Sequence, residues 1–176
     1  MKKCIKNFQI DSINFMRLFS FTIILTFIAP VFAHAQAGKV NFSGTWTLNA
    51  DKSNLGDTGG RRFGGGDFIA TQEANLLAVE RTRTNRDGES VTTTNKYTLD
   101  GKESVNTTGR GESKSTAKWS ADGKTLTIVT VSSFNGNERT STEVWALTDS
   151  KTISITSTRQ NRDGEEVKTT RVYDKK

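Results

Sequence analysis

Apolar residues recur at every second position through much of this chain, as in Leu77-Val79, Leu126-Ile128 and Ile153-Ile155, and no stretch after residue 35 sustains a helical period. Such alternation puts one set of side chains on each face of a strand. It predicts ten strands: Phe42 to Asn49, Phe68 to Gln72, Leu76 to Thr84, Glu89 to Leu99, Glu103 to Thr108, Glu112 to Ser120, Thr125 to Phe134, Asn137 to Leu147, Thr152 to Gln160 and Glu165 to Asp174. Short turns join them, except for the connection from Ala50 to Asp67. The 24 threonines after residue 35 fit the same reading, because a β-branched side chain suits a pleated surface.

Turn chemistry sets how these strands pair. Asn85-Arg86-Asp87-Gly88 and Asn161-Arg162-Asp163-Gly164 both read as a type I turn followed by a left-handed glycine, which places Asn85 opposite Glu89 and Asn161 opposite Glu165. Counting back, Tyr97 faces Leu77 and Tyr173 faces Ile153. The middle hairpin turns on Asn135-Gly136, whose two-residue geometry pairs Phe134 with Asn137 and so sets Trp145 against Leu126. Three hairpins therefore bring an aromatic beside an aliphatic on one face.

That face has two halves. Near the turns Asp100-Gly101-Lys102, Asp122-Gly123-Lys124 and Asp149-Ser150-Lys151 it carries Leu77, Val79, Tyr97, Leu126, Ile128, Trp145, Ile153, Ile155 and Tyr173. Toward the opposite turns it becomes polar and mostly cationic, with Arg81, Arg83, Asn95, Arg139, Glu143, Arg159 and Arg171. The other face of the first hairpin, with Glu80, Thr82, Thr84, Thr92, Thr94 and Lys96, reads as solvent-facing, whereas Val129, Val131 and Val144 leave the middle hairpin's outer face less polar. Ten short antiparallel strands leave two edges unless the sheet closes. The expected fold is all-β, a single antiparallel up-and-down β-barrel of about 8 to 10 strands, with a two-sheet sandwich as the alternative.

The N-terminus changes the inventory. Lys2, Lys3, Lys6 and Arg17 precede an apolar run from Leu18 to Phe32 and the small-residue cluster Ala33 to Ala37, the pattern of an export signal. Residues 1–35 are thus expected to be a cleaved signal peptide and 36–176 the barrel domain, exported to the periplasm or the extracellular space, with no membrane span in the mature chain. Met16 offers an alternative start. Cleavage would remove Cys4, Pro30, His34 and both methionines, leaving a chain with no Cys, His, Met or Pro. Disulfides, thiolate or imidazole metal sites and histidine-based triads are then excluded, and no metal or cofactor is expected. The same cleavage lowers the formal net charge from +6 to +3, with both signs spread through the strands, which argues against a nucleic-acid partner. The glycine-rich run Gly59 to Gly66, with Arg61 and Arg62, lacks the Lys-Ser/Thr ending of a phosphate loop and reads as a loop at the barrel rim.

Two segments carry a resemblance. Phe42-Ser43-Gly44-Thr45-Trp46-Thr47-Leu48 resembles the first strand of the calycins, with the Gly-x-Trp of lipocalins and the Gly-Thr-Trp-x-Leu of fatty-acid-binding proteins. Thr170-Arg171-Val172-Tyr173-Asp174-Lys175 resembles the last strand of the fatty-acid-binding proteins, where an Arg-x-Tyr pair holds the ligand carboxylate. The fatty-acid-binding resemblance implies a small barrel around one apolar molecule, with Arg171 and Tyr173 as its polar clamp. The lipocalin resemblance implies instead that Arg171 stacks on Trp46 and seals the closed end. Export fits the secreted bacterial lipocalin-like domains, and the glycine-rich connection stands where fatty-acid-binding proteins have a two-helix lid.

The expected function is non-enzymatic: a monomeric binding protein for a small hydrophobic or amphipathic ligand. The ligand's anionic head would meet Arg171, Tyr173 and Arg81, and its apolar part Trp145, Tyr97, Ile128 and Ile155. Two alternatives stand beside it. One is a structural or interaction module of the cell envelope with a self-filled barrel. The other is a carboxylate-based hydrolase using Glu143 with Tyr97 or Tyr173, against which an ion pair of Glu143 with a neighbouring arginine weighs heavily.

Overall fold

The computed structural model describes residues 38–56, 66–85, 87–108, 111–134, 136–161 and 163–176. The expected signal peptide and the body of the glycine-rich run lie outside the described residues. Ten strands follow in chain order: β1 (Gly44–Asn54), β2 (Phe68–Gln72), β3 (Leu76–Thr84), β4 (Ser90–Thr98), β5 (Glu103–Thr108), β6 (Gly111–Trp119), β7 (Thr125–Phe134), β8 (Asn137–Asp149), β9 (Thr152–Gln160) and β10 (Glu166–Lys175). They form one antiparallel sheet in the order β4-β3-β2-β1-β10-β9-β8-β7-β6-β5, an up-and-down barrel that is nearly closed. Among the described residues there is no helix, and so none that could cross a membrane.

The hairpin registers are those that the turns dictate. Leu77 pairs with Tyr97, Leu126 with Trp145 and Ile153 with Tyr173. At both Asn-x-Asp-Gly corners the Asn side chain organises the chain: Asn85 Oδ1 accepts from the N–H groups of Asp87 and Glu89 at 2.9 and 2.8 Å, and Asn161 Oδ1 accepts from Asp163 and Glu165 at 2.9 Å each. Gly88 and Gly164 follow at φ of 84° and 83°, where a Cβ would crowd the backbone. On the opposite rim, the carboxylates of Asp100, Asp122 and Asp149 accept from the N–H of the residue two further on, Lys102, Lys124 and Lys151. These Asx turns are the physical content of the repeated Asp-x-Lys signal.

The first strand runs further than its alternation predicts. After Asn49 the register shifts and β1 continues to Asn54, which pairs with Thr170. Ser53 makes this continuation work, because its hydroxyl stands in for a strand carbonyl: Oγ accepts from Val172 N–H at 2.9 Å and donates to Asn49 O at 2.5 Å. The connection to β2 is correspondingly shorter than the Ala50 to Asp67 span.

A segment ahead of β1 closes the end beside the Asp-x-Lys turns. Val40 N–H donates to Gly123 O at 3.1 Å, and Gln72 holds the segment from the side, accepting from Phe42 N–H and donating to Val40 O, each at 3.0 Å. Phe42 is thereby pushed into the barrel. Its ring stacks on Trp119 at 5.6 Å and meets Trp145 edge-on at 5.8 Å. Each large apolar side chain buried in this way contributes roughly 1.5–3 kcal/mol.

Candidate inner site

Alternation along the strands sends every sequence-predicted site residue to the inner face. Trp145, Ile128, Ile155, Tyr173 and Tyr97 are buried at 0, 1, 1, 1 and 8 % exposure, and Arg81 and Arg171 are half-buried above them. Val144 and Val172, one position off, face outward and are partly exposed. Leu77, Leu126 and Ile153 have no exposed surface at all. A water-sized sphere therefore reaches these side chains neither from outside nor from within the barrel, and the closed half is filled by its own atoms. Phe42, Trp46, Phe68 and Trp119 complete that packing, none of them singled out by the hairpin registers.

The polar half is more open. Arg81, Thr93, Asn95, Thr130, Ser141, Glu143, Ser157 and Arg171 are each partly accessible, and Arg83 and Arg139, one step nearer the rim, are exposed. Ser115 and Thr169, at 2 and 7 % exposure, remain buried on this inner face, so the polar half is open in part.

A connected set of polar groups stands on the aromatic floor. Arg171 Nη1 donates to Ser157 Oγ at 3.2 Å, and Ser157 in turn donates to Glu143 Oε1 at 3.4 Å. The other carboxylate oxygen, Oε2, accepts from Trp145 Nε1 at 3.0 Å. The pairing of Glu143 with Ser157 and of Arg171 with Ile155 explains this convergence, since β8, β9 and β10 are neighbours in the sheet. Arg81 reaches the same space from β3. Its guanidinium carbon lies 5.1 Å from the centre of the Phe68 ring, and that ring also meets Tyr173 edge-on at 4.8 Å and Trp145 at 5.5 Å. Phe68 thus joins the two arginine-bearing walls. The Nε of Arg81 is buried and has no hydrogen-bond partner among the described residues.

Electrostatics tie the tyrosines to this set. Burial, with the Glu143 carboxylate adding to it, pushes the Tyr97 hydroxyl up to about 12, while Arg81 and a hydrogen bond with Asn95 pull the other way. Burial also raises Tyr173, opposed by Arg81 and Arg171 and assisted by Glu143. Both hydroxyls are held in the neutral form between cationic and anionic neighbours. Among the described residues no three His, Cys, Asp or Glu side chains gather as metal ligands would.

Two residues of the set, Ser157 and Phe68, are not among the expected site residues. Ser157 lies on the predicted inner face, two residues beyond Ile155, and strict alternation along β9 would have found it. Phe68 sits after the long connection, where no turn carries the register forward. At the closed end, Lys175 places its ammonium 5.5 Å from the centre of the Trp46 ring, and Trp46 Nε1 donates to Phe42 O at 2.9 Å. A cation over Trp46 is what the lipocalin resemblance implies, but Lys175 supplies it, while Arg171 reaches Ser157 in the polar half.

No protein-family model matches the chain, and no curated protein matches it. Solved structures do. The wild-type crystal structure of the fluorescent protein UnaG is similar over 77 % of this chain and 97 % of its own, with 19 % identity and a TM-score of 0.53. Crystal structures of two single-residue mutants of UnaG match at TM-scores of 0.51 and 0.50, with 19 and 20 % identity, covering 77 and 76 % of this chain and 96 and 95 % of theirs. At that identity the likeness concerns the fold alone, which this chain shares with UnaG.

Proposed function

We propose that this protein is an exported, non-enzymatic binding protein for a small amphipathic anion, held in the polar half of the barrel. One observation carries the reading. Among the described residues the inward-facing Arg81 has a buried Nε without an acceptor, and an N–H that has lost water without gaining an acceptor is costly unless an anion completes it. Arg171 and the neutral Tyr97 and Tyr173 stand around the same space as further donors. Because the closed half is sealed up to Phe68, Tyr173 and Trp145 by its own side chains, the apolar part of the ligand is compact and stays in the polar half, so an aryl carboxylate fits better than a long extended tail. Export to the periplasm or beyond, as expected of a secreted bacterial lipocalin-like domain, belongs to this reading on the strength of the N-terminal pattern.

The test is calorimetric titration of the mature protein with naphthylacetate and with its methyl ester. Binding of the acid should fall about tenfold or more in Arg81→Ala and in Arg171→Ala, with the ester much less affected. Equal losses for acid and ester would remove the clamp from the account.

A second reading rests on the outer face. Across β7, β8, β9 and β10 the registers align Thr127, Val144, Thr156 and Thr170 in one row, and Val129, Thr142 and Thr158 lie in the row beside it. Lys168 on β10 ends the second row, and the other positions carry no charge. With a self-filled closed half, an envelope module acting through this surface is the competing function. It predicts that Thr142→Lys with Thr156→Glu abolishes association with envelope material while titrations of the interior stay unchanged.

A further inference from the structure

Resting on the binding reading, we propose that Glu143 supplies a second recognition element. It is an acceptor for a hydrogen-bond donor beside the ligand's anionic group, so the preferred ligand is an acylated amino acid or another carboxylate with an adjacent amide N–H.

The geometry points there in three steps. A carboxylate offers about four lone-pair positions. Glu143 uses one oxygen for Trp145 Nε1 at 3.0 Å and the other for the longer bond from Ser157 at 3.4 Å, which leaves acceptor capacity on a side chain that is partly accessible from the polar half. Trp145 and Ser157 also fix its position, so the acceptor is ordered before any ligand arrives.

Charge supplies the second step. A simple carboxylate drawn to Arg81 or Arg171 enters the same compartment as the Glu143 carboxylate, and like charges at close range in a partly dry space repel. Arg171 and Glu143 share the Ser157 hydroxyl, at 3.2 and 3.4 Å, so the cation and the carboxylate border a common volume. A donor placed next to the ligand's carboxylate turns the repulsive neighbour into a partner.

The third step is discrimination. A site that holds a hydrogen-bonding group in place rejects an analogue lacking the matching donor, because the group is then left dry and unpaired. Glu143 is therefore a specificity-determining residue, distinct from the cationic clamp.

The experiment uses three ligands of one shape family: naphthylacetyl-glycine, the corresponding naphthylacetyl glycolate ester, in which oxygen replaces the N–H, and naphthylacetate. Titrated into the mature wild-type protein, the amide should bind about tenfold more tightly than its ester isostere. In Glu143→Gln, which keeps an acceptor for Trp145 Nε1, the amide preference should fall to within about twofold, and naphthylacetate should bind no more weakly than to wild type. Equal affinity of amide and ester for the wild type overturns the inference and leaves the binding reading standing, as does a Glu143→Gln variant that weakens all three ligands alike. Binding of none of the three removes both. The wild-type comparison of amide with ester decides the matter even if the variant does not fold.

Discussion

Asn106 binds both backbone polar groups of Lys96: its Oδ1 accepts from Lys96 N–H at 2.7 Å and its Nδ2 donates to Lys96 O at 3.0 Å. It does so across the seam between β4 and β5, the two ends of the sheet order, where Ser104 Oγ likewise accepts from Thr98 N–H at 2.8 Å. Side-chain amides and hydroxyls thus replace a backbone ladder at the place where the barrel closes. Val105, on the same strand, points outward at 55 % exposure.

Replacing Asn106 by Leu should therefore destabilise the fold by about 2–4 kcal/mol, since two backbone groups lose their partners at once. Asn106→Asp should be nearly as damaging at neutral pH, because a second acceptor would then face Lys96 O. Denaturant unfolding measures the loss, and amide exchange at Lys96 and Thr98 should accelerate ahead of exchange in β7 to β9.

Gly88→Ala and Gly164→Ala should each cost about 1–2 kcal/mol. Nothing lies within 4 Å of an added Cβ at either position, so the penalty is conformational and the two losses should add. A double variant that loses no more stability than either single one contradicts the turn assignment.

The chain contains two tyrosines, Tyr97 and Tyr173, and both line the interior, so tyrosinate absorbance reports the inner site without background. The Tyr97 hydroxyl stands at about 12 in the fold, against about 10 when unfolded. A folded value above the unfolded one means that the stabilisation is complete below about pH 10 and is lost as pH rises through the folded value. Tyr97 should account for roughly 2–3 kcal/mol of that loss. Alkaline titration should show both tyrosines ionising late and together with unfolding. A normal first ionisation in the native protein would place one of them in water.

Phe42→Ala should cost about 3–5 kcal/mol and flatten the near-ultraviolet circular dichroism of the tryptophans, because Phe42 touches both Trp119 and Trp145. Thermal unfolding checks the first part. Retained dichroism with unchanged stability would mean that the segment ahead of β1 does not plug the barrel.

What could be read from the residues followed the turns. Asn85 to Gly88, Asn161 to Gly164 and Asn135-Gly136 transmit register along contiguous hairpins, so the inward set from Leu77 to Tyr173 was legible one pair at a time. Register does not pass through a long connection or across a seam that lacks backbone pairing. The Ser53 bulge, the placement of Phe68 and the Asn106 closure all depend on partners far away in the chain, and local alternation carries no trace of them. The inner arginines were legible as inward-facing, but the packing of the closed half was not. It comes from Phe42, Trp46 and Trp119 filling a volume that strand periodicity does not measure.

Native mass spectrometry of the 176-residue chain, expressed in full and purified without detergent, reads whether the polar half of the barrel holds a small amphipathic anion. The account predicts a co-purified acidic molecule of low mass on the wild type, absent or strongly reduced on Arg81→Ala. Bare polypeptide mass for both proteins, with no uptake of naphthylacetate or its glycine conjugate when these are added, would contradict it.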